Sequence, residues 1–205
     1  MATAAGTLVL AVATFSAVKS GNRSARVAER SLLAAQRPIL IPSREDDPTE
    51  VVRFGDGIIV NVPGHGYALE MHDGQIYMAI GVRNGGAGVA VLHSWQVLVM
   101  PRTGGSPPPE FDRFRPQLRD LYIPAGANGF WQGAIRDAAD PAYGSVRAAL
   151  EAGERLMVDL LYSDHEGGQR AVARFGIGAV PDAAGERADV LRYWNVDGDD
   201  PREHD

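Results

Sequence analysis

The chain has 205 residues, of which 45% are hydrophobic and 22% charged, so it can bury the core of one ordinary domain and is too apolar for wholesale disorder. Its formal net charge of -6 gives no basis for nucleic acid binding, and we expect the acidic segment 197–205 to be a solvated tail. The absence of cysteine excludes disulfides, thiolate catalysis and cysteine-ligated zinc.

The first predicted element is an apolar helix. Residues 2–18 contain no charged side chain and no proline. As a helix, this run reaches roughly 25 Å at ~1.5 Å per residue, slightly less than a ~30 Å hydrocarbon core. We therefore predict a transmembrane helix over residues 1–18. The alternatives are a cleaved secretory signal, which needs a basic region that is missing here, and a helix buried in a domain core.

Basic side chains follow this run: Lys19, Arg23, Arg26, Arg30 and Arg37. Because positive charge is retained on the cytoplasmic side, the asymmetry predicts that the remainder of the chain lies in the cytoplasm. On a helix over residues 19–36, which Pro38 ends, the basic residues share one stripe. We expect Lys19, Arg23, Arg26 and Arg30 to contact anionic lipid headgroups. The alternative is that they only fix the membrane topology.

After Pro38 the periodicity becomes strand-like, and we predict a β domain over residues 37–196. One helix is predicted within it, with Asp140 as N-cap, Pro141 at the first helical position and Gly153 after its end. Many short strands with close turn signals are typical of an all-β, immunoglobulin-like two-sheet sandwich. The predicted strands are 37–42, 49–54, 57–62, 67–72, 75–82, 87–100, 118–123, 128–136, 155–162, 170–177 and 190–196.

Three segments carry a resemblance to a known group of proteins. They are the basic helix Asn22–Arg30, the RPxLxP strand Arg37–Pro42 and the glycine-rich strand end Arg83–Gly88, which follow the apolar anchor. In this combination the chain resembles a set of uncharacterised bacterial single-pass membrane-anchored β-sandwich proteins. The resemblance spans most of the chain and rests on structural motifs. It implies a sandwich that faces the cytoplasm and transfers no activity.

The sequence shows no catalytic motif or metal-ligand spacing. The histidines, at positions 65, 72, 93, 165 and 204, form neither H-x-H nor H-x-x-x-H. The serines at 94, 145 and 163 lack a G-x-S-x-G elbow, and the acidic run from Asn195 lacks the glycine of a calcium loop. Arg83–Gly88 precedes a strand, so we interpret it as a tight connection, not a phosphate loop. We predict no catalytic residue, cofactor or metal.

The segment 101–117 is the best candidate for a binding site, because long loops in compact domains often carry function. Phe111, Arg113, Phe114 and Arg115 place aromatic and cationic groups together, a composition favoured at interaction hot spots. We predict a partner-binding loop here. The alternative is a sheet-crossing connection whose phenylalanines pack into the core.

These features predict a non-enzymatic, membrane-tethered binding or accessory module that meets an unknown protein partner at the cytoplasmic face. One alternative is a hydrolase or metal-dependent enzyme whose site is built from distant loops. Another is a structural oligomer assembled through the helix stripe Ala25, Ala28, Leu32 and Ala35.

Overall fold

A computed structural model describes residues 2–103, 106–178 and 187–198, with side chains in the helix described from Thr14 onward. The chain forms two compact units, Met1–Arg37 and Pro38–Asp205. The first unit contains α1 (Ala2–Ala35), which runs without a break across residues 18 and 19. The described side chains of α1 are all exposed.

Among the residues that the structure describes, no helix is long and apolar enough to cross a membrane. Most side chains of the predicted transmembrane segment, residues 1–18, are outside the part of the chain that the structure describes. That segment therefore stays a prediction.

The second unit is built from β-strands, and the all-β class predicted from the sequence is confirmed. Its helical elements are a 3-10 turn (Phe111–Arg113) and α2 (Tyr143–Glu151). Its described strands are β1 (Leu40–Pro42), β2 (Glu50–Arg53), β3 (Ile59–Val62), β4 (Tyr67–His72), β5 (Gln75–Asn84), β6 (Ala90–Val99), β7 (Arg115–Ile123), β8 (Asn128–Ile135), β9 (Leu156–Ser163), β10 (Ala171–Ile177) and β11 (Asp189–Asn195).

The strands form two larger antiparallel sheets and a separate hairpin. The five-stranded sheet has the order β11-β10-β9-β6-β7. In the four-stranded sheet, β5 pairs with β8 along one edge and with β1 and β4, placed end to end, along the other. The hairpin consists of β2 and β3.

One hydrophobic cluster draws its side chains from both larger sheets. Alternate residues of each strand point into it because successive side chains of a strand leave opposite faces. Trp95 of β6 and Trp131 of β8 meet edge to face, with ring centroids 5.3 Å apart. The two sheets therefore share one core.

The β2–β3 hairpin adds a layer that the sequence did not predict. Its side chains Val52, Phe54 and Val60 form a second cluster with Tyr77 and Ala79 on the other face of β5. Buried and exposed residues alternate along a strand that is covered on one face only. The hairpin covers the second face of β5, which explains why nearly all of its residues are buried. The immunoglobulin-like arrangement is not confirmed.

Several element boundaries differ from those predicted, and two of the differences bear on the site. β7 begins at Arg115, so this residue belongs to a strand and not to the preceding loop. α2 begins at Tyr143, because the Asp140 carboxylate accepts the Ala142 N–H (2.9 Å) and holds a turn before the helix. At the start of the predicted tail, 197–205, Asp197 is exposed and accepts the Arg170 backbone N–H at 2.7 Å, and the solvated tail stays a prediction. Residues 199–205 lie outside the described part.

Candidate binding cleft

A cleft of about 210 Å³ opens between β7 and β8, the outermost strands of the two sheets on one side of the domain. Residues 115–119 and Leu121 line it from β7, and residues 132–134 line it from β8. Trp95 of β6, Arg136 and Phe54–Gly55 of the hairpin complete the lining. All three layers of the domain therefore contribute to it.

The cleft owes its shape to a bulge in β7. This strand pairs with β6 at Leu121–Ile123 and again at Arg115–Pro116, whereas residues 117–120 have no partner in β6. Such an unpaired insertion bends a strand away from its neighbour. Leu118, within the bulge, is 95% exposed.

Arg115 is fixed at the cleft by two neighbours. Its Nη2 donates to Oδ1 of Asp140 at 2.6 Å, and its Nη1 bonds the other oxygen of the same carboxylate. Its guanidinium lies 5.0 Å from the centroid of the Trp95 ring. Both side chains of the ion pair are largely buried, so Arg115 is held in one orientation.

Arg136 is held in a similar way on the opposite wall. Its Nε donates to Oδ2 of Asp56 at 2.7 Å, and the Tyr77 hydroxyl donates to the same oxygen at 2.8 Å. The hydrogen bond from Arg136 lowers the pKa of Asp56 below its ordinary value of 3.8, whereas burial raises the pKa of Tyr77. Because Asp56 is at the hairpin tip, this network ties the hairpin to β5 and β8.

Arg119 differs from the other two arginines. It is exposed in the bulge and has no ion-pair partner among the residues that the structure describes. Arg115 and Arg136 are each paired with an aspartate, so Arg119 is the arginine of the cleft lining without an ion pair in the described part of the chain; the exposed Asp120 follows it in the bulge but does not line the cleft. The cleft is thus suited to a ligand that carries negative charge.

Gly133 allows the tryptophans beneath the cleft to pack closely. A Cβ at this position would lie 2.6 Å from Cζ2 of Trp131 and 3.0 Å from Cζ2 of Trp95. Any larger residue would displace one of the rings.

The predicted partner-binding loop is divided between two environments. Phe111, which is 52% exposed, stacks on Phe114 with centroids 5.6 Å apart. Neither ring belongs to a core cluster, so the alternative that both pack into the core is wrong. Arg113 pairs with Glu110 (Nε–Oε2 2.9 Å), and Arg115 lies in the cleft. Partner binding by this loop stays a prediction.

Sequence reasoning missed Leu118, Arg119, Gln132 and Arg136 as cleft residues. The proline at 116 within a strand was a signal, because prolines in sheets are confined to edge strands. The membrane-surface residues Lys19, Arg23, Arg26 and Arg30 are exposed on α1, and their contact with lipid stays a prediction.

A contact between His93 and Ser163 invites comparison with a nucleophile and its base. His93 Nε2 lies 2.6 Å from the Ser163 Oγ. However, the Ser163 hydroxyl donates to the Asp164 carbonyl at 2.6 Å, so it accepts a hydrogen from His93. Ser163 is also fully buried. This pair braces the β-bulge at His93 and does not form an activated nucleophile.

The other described histidines are His65, His72 and His165. Within the described ranges, no group of three or more His, Asp or Glu side chains is placed to hold a metal ion. His204 lies outside these ranges. Asp164 accepts the backbone N–H groups of Glu166 (3.1 Å) and Gly168 (2.8 Å), as expected for the hairpin tip predicted there.

Comparisons of the chain with protein-family models, with curated proteins and with solved structures gave no match. The resemblance to bacterial membrane-anchored sandwich proteins therefore stays a prediction.

Proposed function

We propose that this protein is a membrane-tethered binding module that offers the cleft between β7 and β8 to a protein partner at the cytoplasmic face of a membrane. Its β domain would be an immunoglobulin-like sandwich with an added hairpin. The observation that carries the proposal is the bulge of β7, which presents Leu118 and Arg119 beside a cleft lined by Trp95. Arginine and tryptophan are the residues most often found to dominate binding energy at interfaces.

The helix α1 supports the membrane part of the proposal. Its basic residues Lys19, Arg23, Arg26 and Arg30 are exposed and recur at helical spacing after an uncharged run. Each such charge contributes about 1 kcal/mol of attraction near an anionic membrane surface. These four basic residues would therefore be attracted to a membrane leaflet that contains anionic lipid.

Site-specific photo-crosslinking tests the binding proposal. A photoreactive phenylalanine analogue replaces Leu118 in the full chain in cells, and the matched control carries it at Val51, which is 62% exposed on the hairpin. We expect a discrete protein adduct from position 118 and not from position 51. Identical adducts at both positions, or none at position 118, would contradict the proposal.

Vesicle flotation tests the membrane proposal. The full chain is compared with a variant in which Lys19, Arg23, Arg26 and Arg30 are all changed to Gln. We expect the variant to lose its preference for vesicles containing phosphatidylserine over pure phosphatidylcholine. A control variant, with Arg53, Arg102, Arg113 and Arg147 changed to Gln, should retain this preference. Equal flotation of all three proteins on both vesicles would overturn the assignment.

A further inference from the structure

We infer that the cleft takes its partner by strand addition, in which an extended acidic segment of the partner protein pairs with the exposed edge of β8. This inference rests on the proposed function, which it deepens by naming the mode of binding and the chemistry of the partner. It comes from the edges of the strands, their backbone pattern and the charge of the cleft.

The edge of β8 that faces away from β5, called here the free edge, is unprotected. β8 pairs with β5 from Asn128 to Ile135 without a register shift, and no described strand pairs with its free edge. Its sequence, NGFWQGAI, contains no charge and no proline. Charges, prolines and bulges are the devices that keep edge strands from pairing with other chains. β7 has all three, and β8 has none.

The hydrogen bonds of β5 show which of its residues face each edge. Gly81 accepts the Ser43 N–H (3.0 Å) and donates to the Gly66 carbonyl (3.1 Å), so its backbone groups face the β1–β4 side. Asn84 donates to Ala127 (3.1 Å) and accepts from Gly126 (2.9 Å), so its backbone groups face the β8 side. Successive residues of a strand alternate between its two edges.

This alternation assigns the free groups of β8. Ile80 and Met78 direct their backbone groups toward β8, where their partners are Trp131 and Gly133. The residues between and after these partners, Gln132 and Ala134, consequently direct their N–H and C=O groups to the free edge. Both residues line the cleft. No described residue outside β5 bonds these main-chain donors and acceptors, which have the spacing that an added strand needs.

Charge and hydrogen bonding favour an acidic peptide over other anions. Arg119 lines the cleft without an ion-pair partner among the described residues, whereas its neighbour Asp120 is outside the lining, so the charges that face the cleft are those of arginines. The buried Oε1 of Gln132 accepts no hydrogen bond from any residue that the structure describes, and a peptide N–H would supply one. A phosphate or a lipid headgroup has no run of amide groups to match a strand edge.

Fluorescence anisotropy with two synthetic probes tests the inference. The first is a fluorescein-labelled eight-residue peptide of alternating valine and glutamate, and the second alternates valine and lysine. Purified full chain in detergent should bind the acidic peptide at least about tenfold more tightly than the basic one. Arg119→Glu should weaken acidic-peptide binding by about tenfold or more, since it removes a charge-assisted contact. Arg102→Glu, an exposed control outside the cleft, should leave it unchanged.

Ala134→Pro tests the strand edge itself. The substitution removes an N–H from the free edge and leaves the hydrogen bonds to β5 in place. It should therefore weaken binding of the acidic peptide by about tenfold or more. Ala134→Gly keeps that N–H and should bind as the native chain does. If Ala134→Pro fails to fold, peptides with N-methylated amides serve instead. Methylation of one alternate set of amides should abolish binding, and methylation of the other set should not.

Each contrary result overturns a stated part of the inference. Equal binding of the two peptides, or no binding of either, contradicts an acidic partner. Binding that survives both Ala134→Pro and N-methylation contradicts strand addition. A dimer that sedimentation detects without peptide, and that Ala134→Pro dissociates, assigns the edge to a second copy of the chain instead. None of these results alters cross-linking from position 118, so failure of the inference is distinguishable from failure of the proposed function.

Discussion

Arg174 and Asp159 lie directly opposite each other on β10 and β9 and form a two-pronged ion pair whose side chains are both fully buried. Nε donates to Oδ1 at 2.6 Å and Nη2 to Oδ2 at 2.7 Å. Gln96 donates to the same carboxylate at 2.7 Å, and the Pro107 carbonyl accepts from Arg174 Nη1 at 2.6 Å. The outer face of the five-stranded sheet thus holds a bonded polar network beneath the connection from β6 to β7.

Removal of one partner of this ion pair should lower the free energy of unfolding more than replacement of both partners by apolar residues. Arg174→Met or Asp159→Leu alone leaves a buried charge without its partner, so each should lower the free energy of unfolding by about 3–5 kcal/mol. The double variant removes both charges and should be more stable than either single variant. Urea unfolding followed by tryptophan fluorescence measures all three, since Trp194 lies 4.6 Å from the guanidinium of Arg174. A double variant with the summed loss of the two singles would show that the charges do not interact.

Gly133→Ala should destabilise the domain because its new methyl group would meet the rings of Trp95 and Trp131. Overpacking of this kind costs about 1–3 kcal/mol. Gly144→Ala is the matched control, since nothing lies within 4 Å of a Cβ there and the residue is in α2. That change should stabilise the chain by about 0.5–1 kcal/mol. Thermal unfolding of both variants measures the difference, and equal stability of the two would refute the tight packing.

The hairpin tip should loosen at low pH. The pKa of Asp56 is lowered in the folded chain, so its contribution is fully present above pH 3.8 and is lost as the pH falls through the lowered value. Asp56→Asn removes this dependence, so its unfolding midpoint should fall less than that of the native chain on acidification. Exchange of the β2 and β3 amides should also be faster in the variant at pH 7. Parallel pH profiles would exclude a role for Asp56.

Asn84 uses its whole side-chain amide in a buried site. Its Oδ1 accepts from Ile39 (3.2 Å) and Gly86 (2.9 Å), and its Nδ2 donates to the carbonyls of Gly88 (2.6 Å) and Ile123 (3.0 Å). Asn84→Asp sets a carboxylate against two carbonyls and should cost about 3 kcal/mol or more at pH 7.

The loss in Asn84→Asp should shrink on acidification. Burial raises the pKa of the new carboxyl, and the protonated form regains one donor as the pH falls through that value. Urea unfolding at pH 7 and pH 5 measures this change. A loss that is independent of pH would contradict the assigned hydrogen bonds.

Most strands could be located along the sequence, because the signals that mark a strand and its turns are local. The turn at Asp73–Gly74 joins β4 and β5 as expected, and Gly74 has the positive φ of 76° that such turns need. The start of β7 was missed because Pro116 argues against a strand unless the strand is known to lie at an edge. That knowledge comes from pairing, which is long-range.

The cleft was not predictable for the same reason. Arg115 and Arg136 line one site only because β7 and β8 end different sheets on the same side of the domain. The buried ion pair did leave a signal. Asp159 and Arg174 each interrupt an otherwise apolar run, and opposite charges in two consecutive strands of that kind indicate a cross-strand pair.

The end-to-end placement of β1 and β4 has a consequence for how this domain is assembled. Ser43 donates to the carbonyl of Gly81, and Gly66 accepts from the N–H of the same residue on the same edge of β5, so the chain leaves β5 and returns to it at one point. At that neck, a Cβ on Gly64 would lie 2.4 Å from the Arg44 carbonyl, which leaves no room for a side chain. β1 and β4 are thus two halves of one interrupted strand, and the β2–β3 hairpin is an excursion between them. The hairpin side chains do not belong to the core that the two larger sheets share; they cover Tyr77 and Ala79 on the outer face of β5, so removal of the excursion would expose an apolar surface on that strand.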